Sequence, residues 1–180
     1  MKKELIKKIR IPENVKVSFN EGILTVKGKE GEINKKMDFK KSEFKLSQNE
    51  IELSNKKGTK MDKKIMNTLF SHIQNMIQGV QEKFVYELKI CHGHFPFTVK
   101  IEGKKAIIKN FLGEKVDRKV DLLEGADFEI KKDLIIVRSV NKELAGQAAA
   151  NFEFATKIKG RDKRVFQDGI YIIKKNGKEI

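Results

Sequence analysis

The sequence predicts an α+β fold made by tandem duplication of two small domains, each an antiparallel sheet packed against one amphipathic helix. Three observations predict it. Alternating strand patterns recur at an offset of 82 residues, so that Val17, Phe19, Leu24, Val26, Lys27 and Gly31-Glu32 face Val99, Ile101, Ala106, Ile108, Lys109 and Gly113-Glu114. After one insertion the match resumes, with Asn49-Glu50-Ile51-Glu52-Leu53 parallel to Lys132-Asp133-Leu134-Ile135-Ile136. Each copy then passes from a period of two into one helical stripe. A period of this size is too long for a solenoid unit and suits a small domain that closes its own core.

In the first copy, residues 15–19 and 23–27 alternate apolar and polar positions around the turn residues Asn20-Glu21-Gly22, which reads as a hairpin. A second turn falls at Gly28 to Gly31, followed by strand candidates at Met37 to Phe39, Phe44 to Leu46 and Ile51 to Leu53. From Met61 the pattern is helical: Met61, Ile65, Leu69, Ile73 and Ile77 form a stripe that Met66, Phe70, Met76 and Val80 widen. Thr59 and Asp62 have the spacing of a capping box, and Gly79 is placed to end the helix.

The second copy opens on Phe84, Tyr86, Leu88 and Ile90, which alternate as in an added strand, so the domains divide as 1–81 and 82–180. Val99 to Ile101 and Ala106 to Ile108 form the matching hairpin, followed by strands at Val120 to Leu122, Phe128 to Ile130 and Leu134 to Val137. A helix starts near Asn141, its apolar stripe formed by Leu144, Ala145, Ala148, Ala149, Phe152 and Ala155. Such small side chains let it approach its sheet, or a neighbouring surface, closely.

Charge narrows the function. Of the 180 residues 36% are charged, and the net charge is +14. A surplus of this size repels itself unless an anion is near, which favours a polyanion partner, nucleic acid ahead of an anionic membrane surface or an acidic protein. The surplus is uneven: +8 over residues 1–81, +1 over 82–156 and +5 over the short segment 157–180. In that segment the cations alternate with Gly160, Phe166, Gly169 and Tyr171, a composition suited to RNA, because cations neutralise phosphates while rings stack on bases. Arg118, Arg161 and Arg164 carry the guanidinium forks that favour bidentate phosphate binding.

Other chemistry finds little support. Cys91 is the one cysteine, which excludes an internal disulfide and fits a reducing compartment. The N-terminus lacks the apolar stretch of a secretory signal and no apolar run would span a membrane, so a soluble, cytoplasmic protein is expected. Cys91-His92-Gly93-His94 is the one cluster resembling a ligand or catalytic set. Only His72 is left to complete a metal site, and neighbouring strand residues point to opposite faces, away from a shared nucleophile–base geometry. With no Walker A loop, Gly-x-Gly-x-x-Gly run or nucleophile elbow, neither catalysis nor a cofactor is expected.

Four strings then occur in order: His94-Phe-Pro-Phe-Thr-Val-Lys, Asn110-Phe-Leu-Gly-Glu-Lys, Lys142-Glu-Leu-Ala-Gly-Gln-Ala-Ala-Ala-Asn and Lys163-Arg-Val-Phe-Gln-Asp-Gly-Ile-Tyr. With them the chain resembles the L-six family of large-subunit ribosomal proteins, called L-nine in eukaryotic cytosolic ribosomes. The likeness is strong from Tyr86 to Tyr171 and weaker in the first copy. The Pro-Tyr-Lys-Gly-Lys-Gly type of run usual in bacterial members is missing, so the tail is similar to the eukaryotic and archaeal form. The resemblance implies two similar α+β domains and a non-catalytic constituent of the large ribosomal subunit that binds its rRNA near the sarcin-ricin loop and stalk base. Neighbouring large-subunit proteins, including stalk-base proteins, are the implied partners, with translational GTPases docking nearby. It implies rRNA contacts from the turn holding Asn110, Gly113, Lys115, Arg118 and Lys119, and from the tail holding Lys157, Lys159, Arg161, Lys163 and Arg164. Truncation after Phe154 is expected to abolish rRNA binding with both domains still folded. The second reading is an extraribosomal basic adaptor binding acidic proteins or RNA.

Overall fold

The computed structural model describes residues 3–39, 42–47 and 49–180, and the chain divides into two units, Met1–Lys83 and Phe84–Ile180. The first unit runs β1 (Lys3–Arg10), β2 (Lys16–Asn20), β3 (Ile23–Gly28), β4 (Gly31–Lys36), β5 (Glu43–Leu46), β6 (Glu50–Gly58) and α1 (Lys60–Gln81). Its strands form two antiparallel sheets, in the orders β5-β6-β1 and β2-β3-β4. Alternation sends Leu24, Val26, Ile51 and Leu53 inward, where Ile73 and Val80 of α1 meet them with no solvent exposure. The capping box is present: the Thr59 N–H donates to Asp62 Oδ2 at 2.8 Å, and the Asp62 N–H donates to Thr59 Oγ1 at 3.3 Å. The helix passes Gly79, which is buried in its last turns, and ends at Gln81 with its cap at Glu82. Gly28 lies so close to that end of α1 that a Cβ there would be 2.6 Å from the Val80 carbonyl oxygen. Glu30 seals the approach by donating its N–H to the same oxygen at 2.9 Å.

The second unit runs β7 (Phe84–Cys91), β8 (Thr98–Glu102), β9 (Lys105–Lys109), a single 3-10 turn (Phe111–Gly113), β10 (Arg118–Asp121), β11 (Asp127–Lys131), β12 (Leu134–Ser139), α2 (Lys142–Ala155), β13 (Gly169–Lys175) and β14 (Lys178–Glu179). Strands β8, β9 and β10 repeat the β2-β3-β4 sheet, while β11-β12-β7 repeats β5-β6-β1 and continues into β13 and β14. The small stripe of α2 serves the domain's own sheet: Ala145, Ala148 and Ala149 are buried, and a Cβ on Gly146 would sit 3.3 Å from the Tyr86 hydroxyl.

The duplication holds, with corrections to its details. Phe84 to Ile90 is not an added strand; β7 is the counterpart of β1, whose residues carry too many lysines to show as a strand by pattern. Near residue 50 the true register is one step further on, since Ile51 and Leu53 are buried in β6 where Ile135 and Val137 are buried in β12. Leu134-Ile-Ile-Val is apolar at every position, so apolarity could not choose the register, and a slip of one exchanges the two faces of a strand. The two Gly-Glu pairs are also not equivalent. Val26 pairs with Ile33 across six residues, whereas Ile108 pairs with Arg118 across nine, so the second copy has an enlarged turn that holds Gly113-Glu114. Finally, Met37 to Phe39 is no strand; the third strand of that sheet is β4, where a turn and its exit were expected.

Candidate nucleic-acid interface

The basic segment after α2 is not a loose tail. Thr156 is buried, and its hydroxyl oxygen accepts the Ile170 N–H at 2.9 Å, while Glu153 Oε1 of α2 accepts the Ile172 N–H at 2.9 Å. Two side chains at the end of the helix thus satisfy the first part of the outer edge of β13, whose last residues pair with β14 and whose inner edge pairs with β7. Between Thr156 and β13 the chain must make an excursion, and this excursion carries Lys157, Lys159, Arg161, Lys163 and Arg164, all exposed.

Asp168 anchors its return. Its carboxylate is fully buried and accepts N–H groups from Gly93 (3.0 Å), His94 (3.2 Å) and Phe95 (3.3 Å), as well as His94 Nδ1 (3.1 Å). A carboxylate only accepts, so this partner assigns the proton to Nδ1. Burial by itself raises the Asp168 pKa, but the bonds from Gly93, the His94 ring, Phe95 and the His94 backbone outweigh it and hold the group at about 2. Of the Cys91-His92-Gly93-His94 cluster, Gly93 and His94 thus join Phe95 in clasping Asp168, and among the described residues no three His, Cys, Asp or Glu side chains converge as a metal site would require.

The enlarged turn is clamped to the same region. Asn110 and Leu112 both adopt left-handed backbone, at φ of 62° and 51°, with Gly113 at 75°, and Phe111 and Leu112 plug the core. Asparagine tolerates that conformation and leucine does so at a cost, which its burial offsets. Asn110 Nδ2 donates to the Pro96 carbonyl at 3.0 Å. Arg118 uses all three guanidinium nitrogens: Nε and Nη2 bind the Glu114 carboxylate, and Nη1 donates to the Ala155 carbonyl at the end of α2 at 2.7 Å. The same group lies 4.3 Å from the centroid of the Phe111 ring. Hydrogen bonding from Arg118 lowers the Glu114 pKa against some desolvation, with the charges of Arg118 and Arg161 adding to the effect.

These clamps bring together most of what the sequence singled out. Lys115, Lys119 and the five cations of residues 157–164 are exposed in one unit, and the bond from Arg118 to the Ala155 carbonyl ties the turn to the chain just before the segment. Arg118 departs from the expectation: it is committed to the fold and positions the turn. Arg164 pairs with Asp162 (2.9 Å), an exposed bond that a phosphate can replace. Sequence reasoning missed Asp168, weighed His94 only as a metal or catalytic group, and named Phe166 as a ring of the basic segment without placing it in the site. His94 stacks on Phe166 at 4.8 Å, and the Arg161 guanidinium lies 4.9 Å from the same ring. Their signal was present in the His94-Phe-Pro-Phe and Phe166-Gln-Asp-Gly strings, but nothing in them said that they touch. Beside this group a cleft of about 300 Å³ is lined by Phe154, Lys157, Ile158, Lys163, Phe166 and Tyr171. Rings, aliphatic walls and cations together suit an unstacked base with its phosphates.

Comparison with known proteins bears on what such a surface serves. The family model described as Ribosomal protein L6 matches residues 11–83 and again 95–169. The chain belongs to the ribosomal protein L6 family. Archaeal relatives agree along most of this L6 chain. It is 42% identical over 172 residues to the large ribosomal subunit protein uL6 of Methanococcus vannielii, covering 96% of this chain and 94% of that protein. The uL6 of Methanobrevibacter smithii is 44% identical over 167 residues, covering 93% and 94%, and that of Methanosarcina mazei is 39% identical over 175 residues, covering 97% and 99%. The two matched stretches of the L6 model are the two structural repeats, so the family signature and the duplication describe one architecture. Among the described residues no helix is long and apolar enough to cross a membrane.

Proposed function

We infer that the protein works as a non-catalytic structural constituent of the large ribosomal subunit in the cytoplasm, binding large-subunit rRNA, as membership of the L6 family implies. The finer reading concerns where the RNA sits. The second domain, residues 82–180, is the anchor: its phosphate contacts come from Lys157, Lys159, Arg161, Lys163 and Arg164 and from Lys115 and Lys119, with Asn110, Gly113 and Arg118 shaping the turn. The observation that carries this is the buried Asp168 clasp, which holds an excursion of five exposed cations in one place. A pre-ordered cationic surface loses little entropy on meeting RNA. The family resemblance supports a place near the sarcin-ricin loop and stalk base, with stalk-base proteins as neighbours and translational GTPases docking close by.

The test combines Lys157→Ala, Lys159→Ala, Arg161→Ala and Lys163→Ala, and measures co-sedimentation with large subunits at several salt concentrations. Binding should fall, and the slope of log affinity against log salt should flatten by about 0.9 for each phosphate left without its cation on duplex RNA-like sites, or about 0.7 on single strands. Unchanged affinity and slope would overturn the assignment. Recovery of acidic proteins, and no rRNA, after nuclease treatment would favour the adaptor reading instead.

A further inference from the structure

The first unit leaves open at β1 the position that the second unit fills at β7. In the second unit β7 lies between β12 and β13, whereas β1 has β6 on one side and, among the described residues, no strand on the other. The equivalence is residue by residue: the pair Ile9 and Ile51 corresponds to Leu88 and Ile135, each with its β6 or β12 member buried against the helix. The Ile11 N–H bonds to the Asn49 carbonyl on the β6 side at 2.8 Å, so strand alternation turns the backbone groups of Ile6, Lys8 and Arg10 toward the open edge. Their counterparts are Val85, Glu87 and Lys89, which face the β13–β14 hairpin; the Val85 carbonyl accepts the Asn176 N–H at 2.7 Å.

Beside the open edge, between β1 and the second half of α1, lies a cleft of about 490 Å³ lined by Lys8, Ile9, Arg10, Gln74, Ile77 and Gln78. On the corresponding side of the second unit the inward side chain of β13, Ile170, is 1% exposed, and α2 and its cap take the N–H groups of Ile172 and Ile170 through side-chain oxygens. In the first unit α1 presents glutamine amides along this side, which can both donate to and accept from a strand backbone.

We propose that the edge of β1 is a docking site for an extended, acidic segment of a protein partner, which adds to the β5-β6-β1 sheet as β13 adds to its own. Its residues alternate: small uncharged side chains on the helix side enter the cleft against Ile9, Ile77 and the glutamines, and carboxylates on the other face meet Arg10 and Lys8. Lys8 already leans on Glu52 at 3.4 Å, so Arg10 and the +8 surplus of residues 1–81 set the preference for acid. A second copy of β1 is a poorer occupant, because its Lys3, Lys7, Lys8 and Arg10 against the single acid Glu4 would bring more positive charge to a basic edge. RNA offers no ladder of N–H and C=O groups for such an edge. The inference is independent of the rRNA reading, which concerns the second unit.

The experiment uses the full chain, labelled for amide NMR, and an alternating Glu-Val peptide as long as β1. With saturating peptide, hydrogen exchange at Ile6, Lys8 and Arg10 should slow about ten-fold or more, while the same peptide methylated at alternate backbone nitrogens, or with Lys in place of Glu, should have no effect. Lys8→Pro removes an outward N–H without touching the β6 ladder, and should weaken peptide binding at least about ten-fold with the remaining amide spectrum preserved. Equal response to the methylated peptide, no protection of the three amides at millimolar peptide, or protection of them by RNA in place of peptide would each overturn the proposal. The methylated peptide keeps the test decisive if Lys8→Pro disturbs the strand.

Discussion

Asp168 shows how one buried side chain can hold a cationic surface in place. Its folded pKa of about 2 lies below the value of about 3.9 for an unfolded aspartate. Its contribution to stability is therefore complete above about pH 4 and is lost as pH falls toward 2. Asp168→Asn should destabilise the second unit by about 2–3 kcal/mol at neutral pH, because an amide nitrogen would face N–H donors, and should remove that acid-dependent loss. Denaturant titrations at pH 7 and pH 3 check both. For Arg118, whose nitrogens all serve the fold, Arg118→Lys should lower stability by about 1–2 kcal/mol yet leave the salt slope of rRNA binding unchanged; a flattened slope would mean that Arg118 reaches phosphate after all. In the first unit, Gly28→Ala should cost at least about 2 kcal/mol by thermal denaturation, since the new methyl meets a backbone oxygen that cannot move aside.

Among the elements, β13 most changes what the sequence suggested. Composition made residues 157–180 a basic appendage, and truncation after Phe154 looked harmless to the fold. The removed part includes Thr156, Asp168 and the whole strand that covers β7. The truncated chain should lose the second unit's cooperative unfolding, seen as loss of slow-exchanging amides in β7 and β12, so it cannot report on RNA binding alone. Thr156→Val isolates the effect: it leaves the buried Ile170 N–H without its acceptor and should cost about 1–3 kcal/mol. The pattern Ile170-Tyr-Ile-Ile is strand-like, but the surrounding lysines and glycines hid it, as lysines hid β1. Where helix periodicity was long and strong, as in α1, pattern reading succeeded down to the Thr59 capping box, and erred only in ending the helix at Gly79.

For the molecule as a whole, duplication supplied two scaffolds that were then finished differently. The second copy has the longer turn and the strand-covered β7; the first has a tight β3–β4 turn and, among the described residues, no strand on the outer side of β1. Charge is also unevenly divided, with half of the second copy's surplus of +6 in its excursion, where five cations stand against Asp162 and Asp168. Affinity of the whole protein for rRNA should accordingly fall steeply with salt, and neutralising lysines of the first unit's strands, such as Lys16 and Lys36, should change that slope less than neutralising Lys157 and Lys163. Parallel salt titrations of the two variants measure the difference.

The sequence by itself determined the α+β class, the two-fold repeat, both helices and the family, because each rests on periodicity, spacing or contiguous strings that local order preserves. It also located the cations of the proposed interface. Only the tertiary structure decided which of them serve the fold and which face outward. Arg118 and Lys119 are neighbours in the chain, yet one is locked to Glu114 and Ala155 while the other is exposed. Likewise, Asp168 and His94 lie 74 residues apart and become one feature only when β13 pairs with β7. Such contacts depend on which strand lies beside which, and long-range pairing leaves no mark in local pattern.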